Sequence, residues 1–359
     1  MNEQATRRRG YGLIETIVGV AIVGLIVLIL VPAMHNARSQ MHRSNSSAKL
    51  MIIGQGGAMY AQGNSGRLFG YSWRPGESYI LPDGRVISET SSLRASARQN
   101  QEILQRYTGR LTGEFKIQLL GARIPHRRYS HLVLMDYLDL SIESKLFIDP
   151  ADEKLERWHD NPLEYRDAVS SLPYSSNKDY AGYDEDGSWI NSNVQQRWTF
   201  GSSYHSGPSV WQADYPSARY VPIWVTPHLF ASTFAGNPDL HTGRSLDEVA
   251  SPSNKVWMFE EFDREQAGDP YFAYGRSRTE KLMFDGSVNS WLSGEAAPSV
   301  VPENGGIWAQ KYLPLDQFPL PLGGLGDDRL VNQRFRWTHL GLSGVDYGQS
   351  EPARGPKAR

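Results

Sequence analysis

The chain has 359 residues, 40% of them hydrophobic and 21% charged, so most of it can bury a core, as one large domain or two ordinary ones. A formal net charge of −2 gives no general attraction for nucleic acid or anionic lipid. The absence of cysteine excludes disulfides, thiolate metal sites and a cysteine nucleophile. The 10 Trp, 18 Tyr and 12 Phe, set against a mean hydropathy of −0.48, suit a sheet-rich polar domain with aromatic anchors.

The first element is an apolar run from Tyr11 to Met34 whose one charge is Glu15. As a helix it spans about 36 Å, enough to cross a hydrocarbon core of about 30 Å. Arg7, Arg8 and Arg9 precede it, which places that end in the cytoplasm and the remaining chain on the far side. A secretory signal peptide has a shorter apolar centre of about 7–15 residues. Ala33-Met34-His35-Asn36-Ala37 is also a poor cleavage site for one. A plain signal anchor leaves Glu15 unexplained, because a carboxylate costs about 2.5–3.5 kcal/mol at the bilayer centre and less near the interface.

Arg-Arg-Arg-Gly10, Tyr11-Gly12-Leu13-Ile14-Glu15 and the apolar run ending in Val31-Pro32-Ala33 together resemble the prepilin-type cleavage and methylation segment. The resemblance implies that prepilin peptidase cuts after Gly10 and methylates Tyr11, with Glu15 as the assembly glutamate. Tyr11 stands where that family usually has Phe, and Gly12 where Thr is more common. A cationic Tyr11 amine would pair with Glu15 of a neighbouring pilin-like subunit, relieving the buried charge and setting the stagger between helices. Pro32 removes one backbone hydrogen bond and is expected to kink the helix near the membrane exit.

From residue 35 to about 62 the helix is expected to continue as an amphipathic one. Met34, Ala37, Met41, Ala48, Met51, Ile52, Ala58 and Met59 recur mostly at three- or four-residue steps and are expected to pack on the globular domain. Gly54, Gly56 and Gly57 weaken the helix by about 1 kcal/mol each, and suit a close helix–sheet contact. Asn64-Ser65-Gly66 ends the element.

The stretch Asn45-Ser46-Ser47-Ala48-Lys49-Leu50 to Arg67 resembles a large pseudopilin-like group abundant in planctomycete-type bacteria. That group often carries a His, nine residues, then Asp-Gly. Here Asp285-Gly286 matches the turn of that strand, while the histidine position holds Gly275. Ser251 to Glu260 resembles the strand preceding this mark. Leu146-Phe147-Ile148-Asp149-Pro150 resembles a segment where Cys-Pro is common, with Asp149 in place of the cysteine.

Within 63–344, Tyr79–Leu81 and Arg85–Ser88 read as a hairpin around Pro82-Asp83-Gly84. Further strands are expected at Arg219–Thr226, Lys255–Phe259, Lys281–Phe284, Ser287–Trp291 and Arg334–His339, with Asp285-Gly286 as a two-residue turn. Helices are expected at Ser92–Tyr107 and His131–Leu140. Leu313–Asp328 reads as a surface loop and 345–359 as a flexible tail. The expected fold class is α+β and pilin-like: a long N-terminal transmembrane and amphipathic helix packed on a mainly antiparallel sheet with large insertions.

Signals for chemistry are sparse, and no catalytic residue is assigned. Asp184 and Asp186 resemble the start of a calcium loop but lack the later bidentate glutamate. His126 and His131 fit a polar loop better than a metal site. Glu260, Glu261 and Asp263 read as a solvated strand end, since sequence neighbours do not make a carboxylate pair about 5 Å apart in a cleft. Trp189, Trp198, Trp211 and Trp224 read as core before they read as sugar platforms. The expected function is a non-enzymatic, pseudopilin-like subunit of a type II secretion or type IV pilus-like assembly. Its head would lie in the periplasm or outside the cell. The alternative is a carbohydrate-binding or hydrolytic domain on the same kind of anchor.

Overall fold

The computed structural model describes residues 12–113, 116–119, 129–141, 143–161, 200–211, 243–266, 271–298, 334–338 and 340–348. Gly10, Tyr11, Asp184, Asp186, His126, the strand expected at Arg219–Thr226, the Leu313–Asp328 loop, the end of the 345–359 tail and three of the four tryptophans lie outside them.

Helix α1 runs from Leu13 to Gly63. Its N-terminal part is the one helix long and apolar enough to cross a membrane among the described residues, with mean hydropathy 3.0 over an 18-residue window and none of that window buried. The helix stays unbroken through Pro32. Two compact units divide inside it, at Ser44 and Asn45.

The second unit is α+β. Strands β1 (Ser78–Ile80) and β2 (Val86–Ser88) form the expected hairpin. Gly84 closes its loop with φ +82° and Asp83 accepts the Arg85 amide at 3.0 Å. Helix α2 (Ser92–Thr108) begins at a Ser91 cap and ends at Gly109 in the left-handed region, φ +67°. Helices α3 (Leu132–Tyr137) and α4 (Glu153–Asp160) follow. Helix α3 is shorter than the expected His131–Leu140, because Asp139 takes a positive φ of +50°.

Strands β3 (Tyr204–Ser206), β4 (Val256–Glu260), β5 (Lys281–Met283) and β6 (Val288–Asn289) make a second sheet, antiparallel throughout and in chain order. The β5–β6 turn is not the two-residue loop expected. The Met283 amide donates the closing hydrogen bond to Ser287 O at 2.8 Å, which leaves Phe284, Asp285 and Gly286 in the loop. Gly286 sits at φ +86°, the left-handed position of a three-residue hairpin. Phe284 leaves the ladder because its ring stacks on Trp257 at 5.0 Å and its amide donates to Lys255 O at 3.1 Å.

The strand expected at Arg334–His339 is also corrected: 334–337 is a 3-10 turn. Arg334 has φ +50°, which no strand accommodates, and Phe335 is drawn into a ring cluster with Phe259 and Phe272.

α1 meets the second sheet through Ser46, Gly54 and Gly57, all buried. A Cβ on Gly57 would lie 2.4 Å from Trp257, and one on Gly54 2.8 Å from Leu282, so the glycines bring helix and sheet into backbone-close contact. The expected packing stripe is wrong on this point. Met34, Met41, Met51, Ile52 and Met59 are exposed. The sheet takes the glycine face because bulky methionines would hold it away.

β4 carries a bulge at Trp257, where two residues oppose one on β5. A bulge re-aims one side chain. It lets Trp257 reach Gly57 while Glu260, three residues on, reaches Ser46 on the same helix. Burying a ring of this size contributes about 4–6 kcal/mol of gross transfer free energy.

Candidate functional site

The densest polar cluster lies where α1 crosses the end of β4. Glu260 is 2% exposed. Ser46 donates its hydroxyl to Glu260 Oε1, and Tyr204 OH lies 3.0 Å from the same serine oxygen. Glu260 Oε2 accepts the Glu280 amide at 2.9 Å. Asp149 hydrogen-bonds the Glu260 side chain. Burial, then the Asp149 charge, hold the Glu260 carboxyl well above the usual carboxylate range. Burial likewise raises the Tyr204 hydroxyl and keeps it neutral.

Asp149 reaches this place through local chain chemistry. Lys49 of α1 donates to the carbonyls of Lys145 and Ile148 at 2.8 and 2.7 Å, which ties the 145–149 turn to the helix. Burial lowers the Lys49 pKa, and Asp149 opposes that shift. Asp149 Oδ1 accepts the Ala151 amide at 2.7 Å. Beside it, Asp152 caps α4, accepts the Ser203 hydroxyl at 2.8 Å and pairs with Arg264 at 2.6 Å, both side chains nearly fully buried.

The acidic group Glu260, Glu261 and Asp263 is therefore not a solvated strand end; all three are buried. Glu261 lies 3.7 Å from His205 Nδ1, and Asp263 accepts the Arg278 amide at 2.8 Å. The sequence singled out these acids but missed Ser46, Tyr204 and His205. Asp149 was noted only as a replacement for a cysteine.

The other sequence-assigned residues lie apart from the cluster. Glu15 accepts the Gly12 amide at 2.8 Å in the first turn of α1. Asp285 caps its own turn, accepting the Ser287 amide and hydroxyl at 2.9 and 2.7 Å, so its role there is structural. Gly275 accepts the Gly294 amide at 2.9 Å. His131 is buried against Phe147, not in an exposed loop, and Trp211 is core, edge-on to Tyr71 at 5.4 Å. No group of three metal-ligating side chains forms among the described residues.

A groove of about 590 Å³ lies between α2 and α4, lined by Tyr107, Arg110, Lys145, His159 and Phe200. Lys145 is bridged to Glu156 and Asp160 at 2.8 and 3.0 Å, and Phe200 is buried under Arg110 and His159. Its lysine is already paired, and its Phe200 ring is already covered.

Chemically, the Glu260 cluster gathers a carboxyl and two hydroxyls at a fixed place under a helix. That is the chemistry of a joint between helix and sheet. Comparison with protein-family models, with curated proteins and with solved structures gives no match.

Proposed function

We propose that this chain is a pseudopilin-like structural subunit of a type II secretion or type IV pilus-like assembly. In this reading prepilin peptidase cuts between Gly10 and Tyr11, the apolar half of α1 lies in the cytoplasmic membrane, and the α+β unit is exported. One observation carries it. A single acid, Glu15, stands in the first turn of an exposed apolar helix, and that same helix continues into the core of a mixed domain. A carboxylate is costly in hydrocarbon, so it is retained where it has a partner. The methylated Tyr11 amine of a neighbouring pilin-like subunit supplies one.

The antiparallel sheet under α1 supports the pilin-like arrangement at the level of architecture only. The reading as a tethered hydrolytic or carbohydrate-binding domain draws no comparable support. Its best carboxyl pair is sealed beneath Ser46, and the Phe200 ring of the α2–α4 groove is buried.

Mass spectrometry of the mature chain from cells that contain the peptidase tests the proposal. An N-methylated Tyr11 at the N-terminus is the expected result; retention of the arginine-bearing leader overturns it. Glu15→Ala is then expected to leave cleavage intact and to abolish incorporation into the assembly.

A further inference from the structure

A lysine sealed in the core stands just before β4. The Lys255 side chain is 0% exposed and that of Asp346 2%, with Nζ 3.0 Å from Oδ2. Thr338 touches both groups: its hydroxyl accepts from Lys255 Nζ and donates to Asp346 Oδ1. Sealing two ions away from water is costly, and the attraction between them does little more than offset that cost.

The backbone holds the two groups in register. The Asp346 and Tyr347 amides both donate to Asn254 O, at 2.9 and 3.0 Å. The Phe284 amide donates to Lys255 O at 3.1 Å, and the Val256 amide donates to Asp346 Oδ2 at 2.9 Å.

An amine and a carboxyl fixed at contact distance in a dry interior are the reactants of amide formation. Fixed proximity substitutes for concentration, with effective molarities of about 10⁵–10⁸ M in well-oriented cases. Exclusion of water disfavours the charged pair and slows the reverse hydrolysis. The Val256 amide already faces Oδ2, where negative charge develops as nitrogen adds to the carboxyl carbon.

The hydroxyl of Thr338 supplies a proton path. One ammonium proton passes through it to Oδ1, which leaves a neutral amine and a neutral carboxyl. Nζ then bonds to Cγ, a second proton follows the same path, and the Cγ–Oδ1 bond breaks to release water. Oδ2 remains as the amide oxygen. Nothing is oxidised or reduced, and no co-reactant is consumed. Thr338 is only part-buried, so the water has a way out.

We propose that Lys255 and Asp346 join through an isopeptide bond, with Thr338 as the positioning residue that relays the proton. The ion pair is the freshly folded state, and the amide is its product. The bond ties the 340–348 segment covalently to β4 in a chain that has no cysteine for a disulfide. It stands whatever assembly the chain enters.

Intact-mass measurement of the full, detergent-solubilised chain, followed by proteolysis and tandem mass spectrometry, tests the bond. The expected native mass is one water lighter than the sequence requires, with the mature N-terminus read from the same digest. A branched peptide joining Lys255 to Asp346 is expected with it. Lys255→Arg is expected to restore the full mass. Thr338→Ala is expected to lower the linked fraction, and Thr338→Ser to keep it. The branched peptide is read on the native chain, so the test holds even where a variant fails to fold. Full mass with no branched peptide overturns the proposal. A water loss that persists in Lys255→Arg overturns it too, since a succinimide at Asp285-Gly286 gives the same mass. Linkage in Thr338→Ala equal to the native chain overturns the relay.

Discussion

Ser46 of α1 donates its hydroxyl to Glu260 at the end of β4, so the helix is pinned to the sheet by a buried polar contact and not by packing alone. Tyr204 completes the group at 3.0 Å from the serine. Ser46→Ala removes the donor and leaves a buried carboxyl oxygen short of a partner. The expected loss is about 1–3 kcal/mol of stability, read as a lowered unfolding midpoint of the detergent-solubilised chain. Ser47→Ala, which loses a part-buried bond to Glu280, is expected to cost less.

The same carboxyl sets a pH dependence. Folding raises the Glu260 pKa above its unfolded value of about 4.3, mainly through burial and the Asp149 charge. The fold thus favours the protonated acid. The contribution is fully present below the unfolded value and is lost as pH rises through the folded one. Stability of the native chain is expected to fall over that window, and Glu260→Gln, which cannot ionise, is expected to flatten this part of the profile. Glu89 works in the opposite sense. Burial pushes its pKa up, but hydrogen bonds from Arg94 and Arg98 outweigh that and lower it, so its contribution is lost as pH falls. Denaturation series from pH 4 to 9 on the native chain and Glu260→Gln separate the two.

Three glycines of α1 differ in what a methyl group would meet. At Gly57 the new Cβ would press on the rings of Trp257 and Phe69 at 2.4 and 2.8 Å. Neither ring can yield, because Trp257 is held between Phe69 and Phe284. At Gly54 and Gly56 it would meet the tips of Leu282 and Leu138, which can rotate. Gly57→Ala is expected to destabilise by about 1–3 kcal/mol despite a helix-propensity gain of about 1 kcal/mol. Gly54→Ala and Gly56→Ala are expected to cost less, and equal losses at all three positions would contradict this account.

The reach of the sequence follows from how local each signal is. The α2 helix and the hairpin around Pro82-Asp83-Gly84 are each set by nearby residues, and both were legible. The periodicity of α1 showed that two faces differ. It pointed to the apolar one as the inner face, whereas the glycine face permits the closest approach. β3 was missed because Tyr204-His205-Ser206 has no apolar alternation and owes its burial to α1 and β4. Arg334–His339 alternates like a strand, but the alternation does not reveal a positive φ at Arg334. The Glu260 cluster gathers side chains from α1, the 145–149 turn, β3 and β4, and no spacing rule connects them.

A second buried charge pair tests how the 340–348 segment is held. Lys255 Nζ lies 3.0 Å from Asp346 Oδ2, with both side chains almost fully buried. Asp346 also accepts the Val256 amide at 2.9 Å and the Thr338 hydroxyl, so one carboxylate ties three backbone segments together. Asp346→Ala leaves an ammonium group buried without its counter-charge, and the expected cost is about 3–5 kcal/mol. Lys255→Met combined with Asp346→Leu removes both charges and replaces them with apolar groups. The double variant is expected to recover a large part of the loss, because the penalty in the single variant comes from the orphaned charge. Chemical denaturation of Lys255→Met, Asp346→Leu and their double variant closes the cycle. A double variant no more stable than Asp346→Ala would show that Asp346 acts through the Val256 amide and not through the charge of Lys255.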